Sequence, residues 1–220
     1  MSTAAETIAR VRAKLPATSV NFWSDQDMVD AYNDTLDEIS DATEFYEQSV
    51  VIRRRKKAAY VDLRGLLPTG ALRVTSVWDI SMQQWLHPTT VRELDQMVGR
   101  GWEKNAGLSK WWFMRGLWFL GTHPVPNDDT TSLKVYFSAT MPHVDISGGL
   151  ANGLNVTPPI QSNMDTLIDY YMLSSLLADF KESKKAVEFY SLYQETETEI
   201  RNTVKNRMVK ERSYRMGARR

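Results

Sequence analysis

Residues 24–39 read Ser24-Asp25-Gln26-Asp27-Met28-Val29-Asp30-Ala31-Tyr32-Asn33-Asp34-Thr35-Leu36-Asp37-Glu38-Ile39, and their reading decides the fold. Ser24 with Asp27 three residues on is a capping-box variant, a hydroxyl at the N-cap and a carboxylate able to reach back to it. Asp25 and Asp27 also suit the positive end of a helix dipole. Met28 or Val29, Tyr32, Leu36 and Ile39, then Phe45 or Tyr46, recur at helical spacing. The stretch is therefore a helix from Ser24 with one buried face and one acid face. Acids four apart with no base between them repel by roughly a few tenths of a kcal/mol per pair. Something outside the helix has to offset that.

Working outward, Ala4–Leu15 predicts a shorter helix, with Ile8, Val11 and Leu15 on one face and Pro16 ending it. Downstream the period changes to two. Ser49–Arg54, Ala58–Leu63, Leu72–Trp78 and Thr131–Phe137 read as strands. Lys110–Met114 and Leu117–Gly121 read as a hairpin turning at Arg115-Gly116. His87-Pro88 to Met97 reads as a short helix with Pro88 in its first turn. Residues 142–159 form a loop rich in Gly, Pro and Asn.

Residues 163–180 are apolar on most faces, which predicts a central helix. A last helix runs from Ser183 to about Arg212, with Val187, Tyr190, Tyr193, Ile200, Val204 and Met208 as its stripe and a polar second half able to project as an arm. The fold class is α+β: a helical bundle from N- and C-terminal helices with an inserted, mostly antiparallel β domain. The expected boundaries are 1–48 for the N-terminal helices, 49–145 for the β domain, and 146–220 for the loop, the C-terminal helices and the basic arm.

The formal net charge is zero, yet the signs are sorted into blocks. Residues 24–47 carry nine acids and no Lys or Arg; Arg53-Arg54-Arg55-Lys56-Lys57 follow in a row. Residues 201–220 hold Arg201, Lys205, Arg207, Lys210, Arg212, Arg215, Arg219 and Arg220 against Glu211 alone, a balance of +7. Blocks this pure suggest surfaces made to meet other surfaces.

Several chemistries find no support. The chain has no Cys, which excludes disulfides, Cys-ligated zinc, iron–sulfur clusters and thiol catalysis. His87, His123 and His143 are scattered, each beside a Pro in an expected loop or turn, with no metal-ligand spacing. Gly148–Gly153 lacks the Lys-Ser/Thr of a nucleotide loop, and 123–129 reads as a turn between strands and not a calcium loop. No catalytic residue, cofactor or metal is expected. The N-terminus has no signal-peptide pattern and no apolar run approaches the ~18–20 residues of a membrane span, so a soluble intracellular product without membrane contact is expected.

The remaining candidates are interaction surfaces. Trp111, Trp112, Phe113, Trp118 and Phe119 crowd one hairpin; alternation sends about half inward, and the others are either covered or exposed as anchors. The basic blocks fit nucleic-acid phosphates or acidic protein surfaces. Acid on one copy facing base on the next would be a heterologous contact, of the kind that closes into rings. Inter-subunit or tail-interface candidates are Asp30, Asp34, Asp37, Asp41, Arg53, Arg54, Arg55, Trp111, Trp112 and Trp118.

The run Trp23-Ser24-Asp25-Gln26-Asp27-Met28-Val29-Asp30-Ala31-Tyr32-Asn33-Asp34, preceded by Ile8-Ala9-Arg10-Val11-Arg12, resembles the opening of head-to-tail adaptor (connector or neck) proteins of tailed bacteriophages. Tyr60-Val61-Asp62-Leu63, Leu133-Lys134-Val135-Tyr136-Phe137 with Pro142, and Pro159-Ile160 before the paired helices resemble later motifs of that family, in the same order. Arg64 and Gly65 stand where a proline often follows the first Asp-Leu. The resemblance implies a virion protein assembled from the host cytoplasm into a ring, typically dodecameric, between portal protein and tail. The bundle would form the ring wall and the basic C-terminal helix would reach the portal. The β domain would meet tail proteins such as a nozzle or tail tube, and genomic DNA would pass through the lumen without sequence-specific binding. A DNA-binding protein using the basic arm, or another tail component, is the alternative.

Overall fold

A computed structural model describes residues 2–16, 22–129, 132–145, 164–180 and 182–217. The mixed α+β class follows directly: helices at both ends of the chain and antiparallel-rich sheets in the middle. Two compact units emerge, Met1–Tyr46 with Thr140–Arg220, and Glu47–Ala139.

The helical unit holds α1 (Ala4–Lys14), α2 (Asp25–Thr43), α4 (Asp165–Asp179) and α5 (Ser183–Gly217). Both early helices start on capping boxes: Thr3 with Glu6 for α1 and Ser24 with Asp27 for α2. Each satisfies N–H groups that no earlier turn can reach. The predicted apolar face of α2 is the buried one, with Met28, Val29, Tyr32, Leu36 and Ile39 all excluded from solvent. They share one core with Ile8 and Val11 of α1 and with Leu167, Ile168, Met172, Leu173, Leu176 and Leu177 of α4. Each such side chain contributes roughly 1.5–3 kcal/mol on full burial.

The helix α5 is one continuous run past the expected end, reaching Gly217. Its buried line is Ala186, Tyr193 and Ile200, spaced by seven, so Tyr193 and Ile200 of the expected stripe are core and Ala186 joins them. Val187 and Tyr190 are exposed instead. Val187 lies about 100° around the helix from Ala186, too far to face α4.

The β unit is built of two four-stranded sheets. One has the order β1 (Glu47–Arg53), β8 (Ser132–Ala139), β3 (Ala71–Asp79), β4 (Gln84–Trp85). The other has β2 (Tyr60–Asp62), β7 (Phe119–His123), β6 (Trp111–Arg115), β5 (His87–Pro88). All pairings are antiparallel except β5 with β6. Ile52, Val74, Val77, Leu133 and Val135 of the first sheet share a core with Leu63, Leu86, Trp112 and Leu120 on the side of the second. A separate cluster of Leu94, Trp102 and Phe113 covers the opposite face of the second sheet, under α3 (Val91–Val98) and a 3-10 turn at Trp102–Lys104. Strand alternation explains both: Trp112 and Phe113 are neighbours in sequence and belong to different cores. Gly121 stands opposite Phe113, and an added Cβ there would overlap the phenyl ring.

Two local expectations change. Pro88 belongs to edge strand β5, where its lack of an N–H costs nothing. The flanking His87 and Thr89 N–H groups donate to Lys110 and Trp112 carbonyls, and the helix starts later, on a Thr90–Glu93 capping box. The hairpin pairs Arg115 with Phe119, so its loop is Gly116-Leu117-Trp118, with Gly116 at φ 61°.

Candidate interaction surfaces

The acid face of α2 stays on the outside of the helical unit. Two of its charges are met by neighbours: Arg12 of α1 pairs with Asp25, and His143 Nε2 lies 2.9 Å from Asp37 Oδ1. Asp27 is absorbed by the cap, where the Ser24 hydroxyl and backbone N–H hold its carboxyl below the usual range. Asp30 accepts from Gln26, while among the described residues Asp34, Glu38 and Asp41 have no ion pair. The repulsion expected along this helix is thus relieved at its start and persists at Asp34, Glu38 and Asp41.

Asp30 and Asp34 line a cleft of about 460 Å³ together with Asp179 of α4, Leu176, Phe22 and Trp23. Phe22 is 60% exposed although its ring meets Trp23 and Phe180 edge-on at 5.2 Å each. The contributions of Phe22 and Asp179 were not singled out from sequence. The only local signal was Phe22 beside Trp23, an aromatic pair just before a helix cap.

Two bases of α1 are met within the helical unit. Asp169 of α4 is buried and receives Arg10 through Nε and Nη2, each at 2.8 Å, and Lys14 Nζ at 2.7 Å. The Asp169 carboxylate raises the Arg10 pKa above the ordinary guanidinium value. This cluster ties α1 to α4.

In the β unit the five-base run does not behave as one block. Arg53, Arg55, Lys56 and Lys57 are exposed, but Arg54 is buried, which removes it from the surface candidates. Strand alternation turns it inward with Val50 and Ile52. Its guanidinium donates to Asp79, Ser109 and Thr122. Burial lowers its pKa, opposed by Asp79. The exposed cations sit on a tight turn: Ala58 N–H donates to Arg55 O at 3.0 Å and Lys57 N–H to Pro126 O at 2.9 Å, with Lys57 at φ 59°. Lys56 N–H donates to Asp129.

The hairpin tip answers the question of core or anchor residue by residue. Trp112 is core, and Trp111 is half-buried and stacked on His123 with ring centroids 5.7 Å apart. Leu117, Trp118 and Phe119 are exposed. The Trp118 carbonyl accepts from Leu63 N–H, and Arg64, paired with Asp62, lies 5.5 Å over the Phe119 ring. That pair holds Asp62 below the usual carboxylate range. A patch of this kind is an apolar tip on a pinned loop.

His123, expected in a turn, ends β7 and is buried, and burial pulls its pKa down. His87 and His143 are exposed. Among the described residues no group of three or more His, Asp and Glu stands close enough to hold a metal ion, and no helix is long and apolar enough to cross a membrane. Arg201 is exposed and pairs with Glu197 one turn back. Lys205, Arg207, Lys210, Arg212 and Arg215 lie along α5. Arg219, Arg220 and the Gly148–Gly153 loop fall outside the described residues.

These surfaces, an acid cleft, a basic turn, an apolar hairpin tip and a long basic-ended helix, are what a protein built to join others would carry. No curated protein matches this chain. The family described as SU10 adaptor protein matches it over residues 2–219, and the chain belongs to that family of phage adaptor proteins.

Proposed function

We propose that the protein is a head-to-tail adaptor that assembles as a ring, dodecameric as its family resemblance implies, between the portal and the tail. The observation that carries this reading is the family match across both units and the final helix, residues 2–219. The helical bundle forms the ring wall, the β unit faces tail proteins, and the genome passes through the lumen without sequence-specific binding. The segregated charge supports this reading, since a chain of zero net charge keeps +7 on its last twenty residues for a partner to meet. The C-terminal basic stretch is the portal contact.

The test is deletion of residues 201–220. Portal-containing heads should lose the adaptor, seen by electron microscopy and by composition, while the truncated protein keeps its helical content. Normal joining of the truncated protein to heads would refute the role given to the arm. Salt-titrated binding to duplex DNA separates the adaptor from a DNA-binding protein, which would lose affinity steeply with salt through released counterions.

A further inference from the structure

The acid cleft of the helical unit and the basic turn of the β unit are complementary. Asp30, Asp34 and Asp179 line the cleft, and an aromatic side chain, Phe22, stands exposed at its side. Carboxylates beside an open aromatic ring match a guanidinium, which pairs with the first and stacks on the second. At about 460 Å³ the cleft is in the range of side-chain and small-ligand pockets. Among the described residues Asp34 and Asp179 have no ion pair. The charge that fits is therefore absent from the described surroundings of the cleft.

We infer that this cleft receives the Arg53–Lys57 turn of a second copy of the chain, with Arg55 or Arg53 as the inserted side chain. The turn is favoured over a flexible basic tail because it is already shaped. Two backbone–backbone hydrogen bonds and one from Lys56 N–H to the Asp129 carboxylate hold residues 55–58 in place, and burial of Arg54 between exposed Arg53 and Arg55 anchors the base of the turn. A preorganised cationic turn loses little entropy on docking. The contact uses different surfaces on the two copies, so it is heterologous and propagates from copy to copy until the rotation closes. It rests on the adaptor reading and specifies which surfaces of neighbouring copies would meet.

The chain's lack of cysteine gives the experiment. Full-length Asp34→Cys and Arg55→Cys variants, one of them tagged, are mixed during particle assembly and then oxidised. The expected product is a heterodimer of the two variants, in excess of either homodimer by about tenfold. A cross-link from the Asp34→Cys site to another virion protein overturns the inference, as does incorporation of both variants without the heterodimer; either result leaves the adaptor reading standing. Charge reversal covers the case in which the variants fail to assemble. Asp34→Arg and Arg55→Glu should each lower incorporation by about tenfold, and the chain carrying both should recover it. Lack of recovery overturns the inference. Absence of the unmutated chain from particles defeats the adaptor reading itself, and this inference with it.

Discussion

Arg54 Nη2 donates to Asp79 Oδ2 at 2.8 Å, with the two side chains 1% and 0% exposed. Asp79 Oδ1 also accepts the N–H groups of Ser81 and Met82, and Arg54 Nη1 reaches Ser109 and Thr122. One ion pair thus links the end of β1, the end of β3, the 105–110 segment and β7. Breaking one side strands a buried charge, at a cost of about 3–5 kcal/mol. Arg54→Met should destabilise the β unit by about that much. Adding Asp79→Leu should recover only part, because Ser81 and Met82 lose their acceptor. Tryptophan fluorescence during denaturation measures it, since every Trp except Trp23 lies within Glu47–Ala139.

His123 gives the β unit a pH dependence of defined sign. Burial lowers its folded pKa, so below the ordinary imidazole value of about 6.5 the unfolded chain takes up a proton that the folded chain declines. Stability therefore falls as pH drops through 6.5 toward the folded pKa. His123→Phe, which keeps a ring against Trp111, should flatten the change in Tm between about pH 7 and about pH 5. An unchanged slope would remove His123 as the cause.

Gly121 leaves room for the Phe113 ring on the adjacent strand. Gly121→Ala should destabilise the same unit by about 1–3 kcal/mol through overpacking. Denaturant titration compares the two proteins directly. A neutral result would mean the ring can move aside.

The hairpin tip predicts the opposite pattern. Replacing exposed Leu117 and Trp118 with serine should change stability by no more than about 0.5 kcal/mol, because neither side chain is core. If the tip is a tail contact, the same change should leave particles carrying adaptor but few tails. Tail attachment counted in micrographs is the readout.

The helices were legible because their signals are local. Ser24 with Asp27 and the Met28–Ile39 spacing lie within one short run, and the structure uses both as read. Arg54 was not legible as a core residue within five consecutive bases, because its acid partner is Asp79, on another strand. The period-two continuation from Val50 through Ile52 was the one signal pointing inward. The hairpin was found but its loop misassigned, since Arg115 pairs with Phe119 and leaves three residues in the turn. Of the stripe expected on α5, Tyr193 and Ile200 are buried and Val187 and Tyr190 are not, because apolar residues on a helix do not say which of them face a neighbour. The cleft could not be read at all: Phe22, Asp34 and Asp179 meet only through the packing of α2 on α4.

Strands β1 and β8 run antiparallel, with Glu47 opposite Ser138. The polypeptide therefore enters and leaves the β unit at adjacent points, roughly 5 Å apart across the pair. A two- or three-residue bridge from Tyr46 to Thr140 would span that gap. The β unit is in this sense a cassette, exchangeable for another without rethreading the helices. A lineage could replace that unit while keeping the helical one unchanged.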